Sequence, residues 1–171
     1  MGAKENIMAH YLSERDNWQD AASQDAQLDE KRAADLLADF LGPDYTVDSK
    51  PKELRRIYGD YGIVPDACII NHLNGKRIYV ENKWGKNGGN AHERCYKYLS
   101  KALQNKVKSM FDTPEMPFFW IFSGPTFNKK KYLQEITMML SDYEYNYHIW
   151  GDPILPNEVE WTALVIKDLL S

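Results

Sequence analysis

The sequence is poor in the residues that build covalent or metal frameworks. Its only cysteines, Cys68 and Cys95, form no C-x-x-C pair, which argues against a disulfide scaffold or a structural zinc site. His10, His72, His92 and His148 are scattered without metal-ligand spacing. No apolar run approaches the roughly 20 residues needed to cross a bilayer, and no secretory signal precedes the fold, so a cytoplasmic protein with no membrane association is expected. The glycine-rich stretch from Trp84 to Gly89 lacks the terminal Lys-Ser/Thr of a nucleotide-binding P-loop, which rejects that reading. No arginine follows Arg94. An overall basic charge is missing as well: the chain carries a net charge of −4.

What is present describes one substantial globular unit. A chain of 171 residues buries about 70% of the surface it exposes when unfolded. A composition of 43% hydrophobic and 27% charged residues is that of a packed protein with a solvated surface. The charge is unevenly distributed. Residues 1–48 hold four basic and eleven acidic groups, and residues 141–171 hold one and six; residues 49–140 hold sixteen and eight, a net +8. A polyanion is therefore expected to meet the middle of the chain, although an uneven solvated surface gives the same numbers. A single domain, 1–171, is expected, with an acidic helical part (1–48), a core (49–140) and a closing strand and helix (141–171).

Residues 1–24 read as polar and irregular, with a short helix over 7–18. Leu28, Ala33, Leu36, Leu37 and Phe40 then recur at helical spacing until Gly42-Pro43 stops the run. Asp29, Glu30 and Asp35 are the acids on this helix, and a solvated polar face is the simpler account of each. Lys50, Lys52, Arg55 and Arg56 place four basic residues within seven positions, suited either to a sugar-phosphate backbone or to solubility. Pro117 to Phe122 reads as a strand buried on both faces. Helical stripes follow at Tyr132, Leu133, Ile136, Met139 and Leu140, and again at Trp161, Leu164, Val165 and Leu169. Tyr145, Tyr147 and Ile149 alternate as a strand does. The mixed order of strands and helices predicts an α/β fold, a mixed central sheet flanked by helices.

The stretch from Val64 to Lys97 carries the chemistry. Asn74-Gly75 separates two apolar runs, which predicts a hairpin that sets Asp66 beside Glu81 and Lys83. Residues two apart on a strand share a face, so Glu81 and Lys83 point the same way. Two carboxylates and an ammonium at one end of a hairpin suit a hard divalent cation such as Mg²⁺, which is commonly held by one or two carboxylates together with substrate phosphate. Beyond the glycines, Asn90, Glu93 and Arg94 have the donors and acceptors that read base edges. An ordinary helix start, with Asn90 as cap and Glu93 three residues on, fits the same letters. That helix is expected to run on through Leu99, Leu103, Val107 and Met110.

Pro-Asp followed by a strand, a turn and Glu-x-Lys resembles the PD-(D/E)xK nuclease superfamily. The segment Gly89-Asn90-Ala91-His92-Glu93-Arg94-Cys95-Tyr96-Lys97 resembles the recognition motif of the EcoRI/MunI-like group of type II restriction endonucleases. The likeness extends to Lys50-Pro51-Lys52, Pro117-Phe118-Phe119-Trp120 and Tyr145-Asn146-Tyr147, covering roughly 49–150; the first 48 residues match less well. The resemblance implies a Mg²⁺-dependent nuclease acting on double-stranded DNA, with Asp66 and Glu81 as metal ligands and Lys83 positioning water. It implies that Gly89, Asn90, Ala91, His92, Glu93, Arg94 and Lys97 form the DNA-reading motif, for which His92 also fits a packing role and Lys97 a phosphate contact. It further implies a homodimer, a staggered cut with 5′-phosphate ends, and a palindromic site with an AATT core. Because arginine is the commonest reader of guanine and none follows Arg94, AATT alone is expected, with CAATTG the next choice. A repair or junction nuclease of the same superfamily, or a catalytically silent DNA-binding protein, are the competing readings.

Overall fold

The computed structural model describes residues 26–171; the helix expected over 7–18 lies outside them. Five strands form one sheet in the order β1 (Tyr45–Ser49), β2 (Ala67–Asn71), β3 (Arg77–Trp84), β4 (Phe118–Ser123) and β5 (Tyr147–Ile149). The first three are antiparallel neighbours, while β3, β4 and β5 run parallel. Parallel neighbours need long crossovers. A 3₁₀ helix, Ala91–Leu99, and α2 (Lys101–Met110) link β3 to β4; α3 (Lys130–Met139) lies between β4 and β5. Helices α1 (Ala26–Leu41) and α4 (Pro156–Leu169) and two short 3₁₀ helices, Pro125–Asn128 and Ser141–Asn146, complete the described chain. This is the mixed sheet flanked by helices that the sequence predicts.

Alternation along the strands divides the core into two layers. Ala67, Ile69, Ile78, Val80, Phe119 and Ile121 face α1 and α4, against Leu37, Phe40, Val159, Ala163 and Ile166. Cys68, Tyr79, Phe118, Trp120 and Phe122 face the other way, toward the crossovers, against Cys95, Tyr98, Leu103, Val107, Tyr132 and Ile136. All six residues of β4 are buried, as expected of a strand covered on both faces. Because α1 packs on the layer opposite Tyr79, and Asp35 is exposed, Asp35 belongs to a solvated face and not to the sheet's chemistry.

Several local expectations differ from the structure: Met110 and Met139, read as core positions, are 42% and 43% exposed, and Tyr145 belongs to a 3₁₀ helix before β5 and not to the strand. The β2–β3 connection is not a tight Asn-Gly turn. Gly75 has φ +81° but Asn74 is not in the left-handed region; instead Asn74 Oδ1 accepts from Lys76 N at 2.9 Å and Asn74 Nδ2 donates to Leu170 O at 2.8 Å, pinning the loop to the end of α4. The long helix expected from Asn90 to Met110 is broken at Ser100, whose extended ψ of 119° interrupts it and whose hydroxyl accepts from Leu103 N at 3.3 Å to start α2. In α4 the inner stripe is Val159, Ala163, Ile166 and Leu170, at i, i+4, i+7 and i+11. Trp161 and Leu164 therefore turn outward, 60% and 48% exposed.

Trp161 stacks on His148 of β5, with ring planes 8° apart, and His148 Nδ1 is bonded to Thr162 Oγ1, which also accepts from Trp150 Nε1 at 2.8 Å. Burial lowers the His148 pKa to about 4, so the native state holds this imidazole neutral while the unfolded chain protonates it near 6.5. Between those values the unfolded state binds more protons, so stability is full above about pH 6.5 and declines as pH falls toward 4. Denaturant titrations are expected to show this decline in the native protein and a flatter one in His148→Asn.

Candidate active site and DNA-reading segment

The register of β2 and β3 brings the carboxylates together. Ala67 pairs with Val80, so one step further Asp66 comes level with Glu81, and directly opposed residues of an antiparallel pair share a face. That face is the crossover layer of Tyr79 and Trp120. Asp66 Oδ2 accepts the backbone N–H of Asn82 at 2.8 Å, which ties its side chain to β3. Lys50 closes the other side. Its backbone N donates to Asp66 O at 2.8 Å, and its Nζ lies 3.9 Å from Asp66 Oδ1. Lys50 is also the one described non-glycine residue with positive φ, +47°, a conformation costing about 1–2 kcal/mol that sets a basic side chain beside the carboxylate.

Glu81 has both oxygens occupied. Oε1 is 3.2 Å from Lys83 Nζ, and Oε2 accepts from the Tyr98 hydroxyl at 3.0 Å. Burial holds the Glu81 carboxyl above the ordinary carboxylate range; the charge of Asp66 pushes the same way, and Lys83 and the Tyr98 hydrogen bond oppose. Two carboxylates of like charge, one well buried, form a site whose tension a divalent cation relieves. The described residues contain no cluster of three or more side chains of the metal-ligating kinds. Two hard oxygen donors fit Mg²⁺, which retains waters and takes oxygens from phosphate, better than zinc, which favours a nitrogen and sulfur cage.

From β3 the chain runs through Gly88 and Gly89, at φ +80° and +91°, where a left-handed pair redirects it. Gly88 N donates to Thr126 Oγ1 at 2.8 Å and Gly89 N to the Tyr132 hydroxyl at 2.9 Å. The candidate reading segment then enters the 3₁₀ helix. With three residues per turn, His92, Cys95 and Tyr98 fall on one face, and all three are buried. Arg94 and Lys97 align on a second face and Asn90 and Glu93 on a third; these four, with Gly89 and Ala91, are exposed. The capping-box reading does not hold, since Asn90 makes no side-chain cap bond.

His92 is placed inside. Its Nε2 is 2.6 Å from Glu135 Oε1, which also accepts from the Tyr96 hydroxyl at 2.9 Å. Burial would raise the Glu135 carboxyl, but these two hydrogen bonds outweigh it and hold the pKa below its usual value. The packing alternative for His92 is thus the one its position fits. Trp120 Nε1 donates to Cys95 O at 2.9 Å, and Gln104 Nε2 to Tyr98 O at 2.9 Å. The outward residues are mounted on a segment held from beneath.

The family model for the type II restriction enzyme MunI matches residues 59–160. The chain belongs to the MunI family of type II restriction enzymes. Its match spans both the carboxylate pair and the reading segment. The type II restriction enzyme MunI of Mycoplasma sp is 29% identical over 183 aligned residues, covering 86% of this chain and 89% of that protein. The crystal structure of MunI restriction endonuclease in complex with cognate DNA aligns with a TM-score of 0.67 at 22% identity, over 77% of this chain and 85% of that one. Membership of the MunI family makes the chain a site-specific deoxyribonuclease. Among the described residues, no helix is long and apolar enough to cross a membrane.

Sequence reasoning did not single out Tyr98, Glu135 or Thr126 and read Tyr132 only as part of a core stripe; all four support the site from beneath. A three-residue spacing of buried side chains from His92 to Tyr98 was the available signal, visible only once a 3₁₀ helix replaces the α-helix. The raised Glu81 carboxyl gives a test of the electrostatics. The native state holds this proton more tightly than the unfolded chain does near 4.5, so ionising Glu81 above that pH lowers stability. In metal-free buffer Glu81→Gln is expected to raise the melting temperature at about pH 7.5 by a few degrees, with the gain shrinking as pH falls toward 4.5.

Proposed function

We propose that this MunI-family enzyme cleaves double-stranded DNA at a palindromic AATT-centred site, with Mg²⁺ as cofactor and a homodimer as the active form. The observation that carries this reading is the placement of Asp66 level with Glu81, with Lys83 Nζ 3.2 Å from Glu81, on the chain that continues directly into an exposed Asn90, Glu93 and Arg94. Asp66 and Glu81 would hold the metal ion. When bound, Mg²⁺ supplies Lewis-acid neutralisation of charge on the phosphodiester.

The residues of the chain do the rest. Lys83 Nζ, oriented by Glu81, positions the attacking water, and its positive charge offsets that of the phosphate in flight. Attack breaks the bond between phosphorus and the 3′ oxygen, leaving a 5′-phosphate and a 3′-hydroxyl. Lys50, beside Asp66, and the exposed Lys52, Arg55 and Arg56 meet the sugar-phosphate backbone, which positions the duplex without reading it. Asn90 suits the N6 and N7 of adenine, Glu93 accepts from a base amino group, and Arg94 donates to ring nitrogens or carbonyl oxygens. Gly89 and Ala91 let the backbone approach the groove, and Lys97 lies one turn beyond Arg94 for a phosphate. A two-fold symmetric site needs two copies of this reader. The whole of 1–171 is read as one nuclease domain.

Digestion of a long duplex of known sequence with Mg²⁺, followed by sequencing of the ends, is expected to give discrete 5′-phosphate ends sharing AATT. Indifference to the flanking pair supports AATT alone, in keeping with the lack of arginine after Arg94; a fixed outer C·G pair extends the site to CAATTG. Ends without a common core would point to a junction or repair nuclease. Asp66→Ala and Lys83→Ala are each expected to slow cleavage by about a thousandfold or more. Retained binding of AATT duplexes by these variants, seen in gel shift, would separate chemistry from reading.

A further inference from the structure

The reading segment and the metal-binding carboxylate are joined by one side chain. Tyr98 closes the 3₁₀ helix that begins with the reader, and its hydroxyl donates to Glu81 Oε2 at 3.0 Å. Arg94 and Tyr98 are four residues apart, on the order of 8 Å along a 3₁₀ helix. The segment between them is braced at two points, Cys95 O by Trp120 Nε1 and Tyr98 O by Gln104 Nε2. Trp120 in turn sits opposite Glu81 in the β3–β4 register. The Tyr98 ring is 1% exposed and packs on Phe118 at 4.6 Å and Trp120 at 6.4 Å between centroids.

We propose that Tyr98 is a positioning residue that couples DNA reading to metal binding: its preformed hydrogen bond holds the Glu81 carboxylate in its ligating orientation, and a 3₁₀ helix displaced by a wrong sequence loses it. Glu81 is held by two partners with different allegiances. Lys83 belongs to the same strand and holds Oε1 whatever the reader does. Tyr98 belongs to the reader and holds Oε2. A hydrogen bond loses strength steeply once its geometry departs from near-linear contact at about 3 Å, so a small displacement of the helix on a wrong sequence releases that oxygen. Specificity then enters at the catalytic step as well as in binding. This inference rests on the proposed assignment of Glu81 as a metal ligand and of 89–94 as the reader.

Tyr98→Phe removes the hydroxyl and leaves the ring in its packing, so a folded protein melting within several degrees of the native one is expected. The test compares it with the native enzyme on duplexes containing AATT and on duplexes with one altered base pair. Affinity is measured without metal and with Ca²⁺, an oxygen-seeking cation that reports metal-assisted binding, and cleavage with Mg²⁺. The metal-free affinity for AATT is expected to stay unchanged. The gain in AATT affinity on adding Ca²⁺ should fall by about tenfold, the worth of a hydrogen bond to a charged group, and AATT cleavage should slow similarly while cleavage of altered sites changes little. Trp120→Phe, which unpins Cys95 O, should likewise lower the Ca²⁺ gain and slow AATT cleavage. Equal Ca²⁺ gain and equal cleavage ratios in Tyr98→Phe and the native enzyme would overturn the coupling. Failure of the native enzyme to cut AATT sites would instead overturn the functional reading beneath it.

Discussion

Two carboxylates set level on neighbouring strands, one of them buried, are the constraint on which the rest of this structure depends. Like charges at that range repel, and burial of Glu81 adds to the penalty. The fold meets this with fixed partners: the Asn82 N–H on Asp66, Lys83 and Tyr98 on Glu81, and Lys50 brought in by a left-handed backbone turn. The two lysines offset the charge of the pair, yet burial and the charge of Asp66 still hold the Glu81 carboxyl above its ordinary range. Stability has been given up locally for a preorganised site.

The same face of the sheet carries the segment proposed to read DNA, and the geometry of a 3₁₀ helix suits that role. An α-helix spreads its residues around the axis at 100° steps, so His92, Cys95 and Tyr98 would drift off a common line. At three residues per turn they eclipse, and a narrow strip of buried side chains leaves two full rows for the groove. Its hydrogen bonding is poorer than that of an α-helix, which explains why the segment leans on Trp120, Gln104, Glu135 and Tyr132. Net negative charge is no obstacle, because the acidic excess lies in residues 1–48 and 141–171.

The parts of the fold that follow from a period of two were legible in the sequence. Glu81 and Lys83 share a face because strand alternation allows nothing else, Asp66 joins them through the β2–β3 register, and the all-apolar β4 announced burial on both sides. What was not legible depends on competition between nearby alternatives. The letters from Ala91 to Leu99 suit an α-helix, and the tighter winding follows from tertiary bonds to His92 and Cys95. Trp161 and Leu164 are hydrophobic, yet the stripe through Val159, Ala163 and Ile166 meets α1 and the sheet, leaving them outside. The Asn74-Gly75 turn gave way to a wider loop because the Asn74 side chain reaches the end of α4, a partner 96 residues away.

Why chemistry and reading stand so close follows from the parallel pairing of β3 and β4. Both strands end at one edge, and the chain that leaves β3 must turn immediately against the chain that leaves β4. Gly85 N donates to Ser123 O and Gly85 O accepts from Thr126 N. A Cβ on Gly124, at φ +95°, would lie 2.5 Å from Gly85 O. Only backbone of minimal bulk fits in that seam. The seam fixes the exit of β3 two residues after Lys83 and delivers the glycine turn to Thr126 and Tyr132. The tight seam starts the 3₁₀ helix close beside β3, which leaves the Tyr98 hydroxyl within hydrogen-bond reach of Glu81.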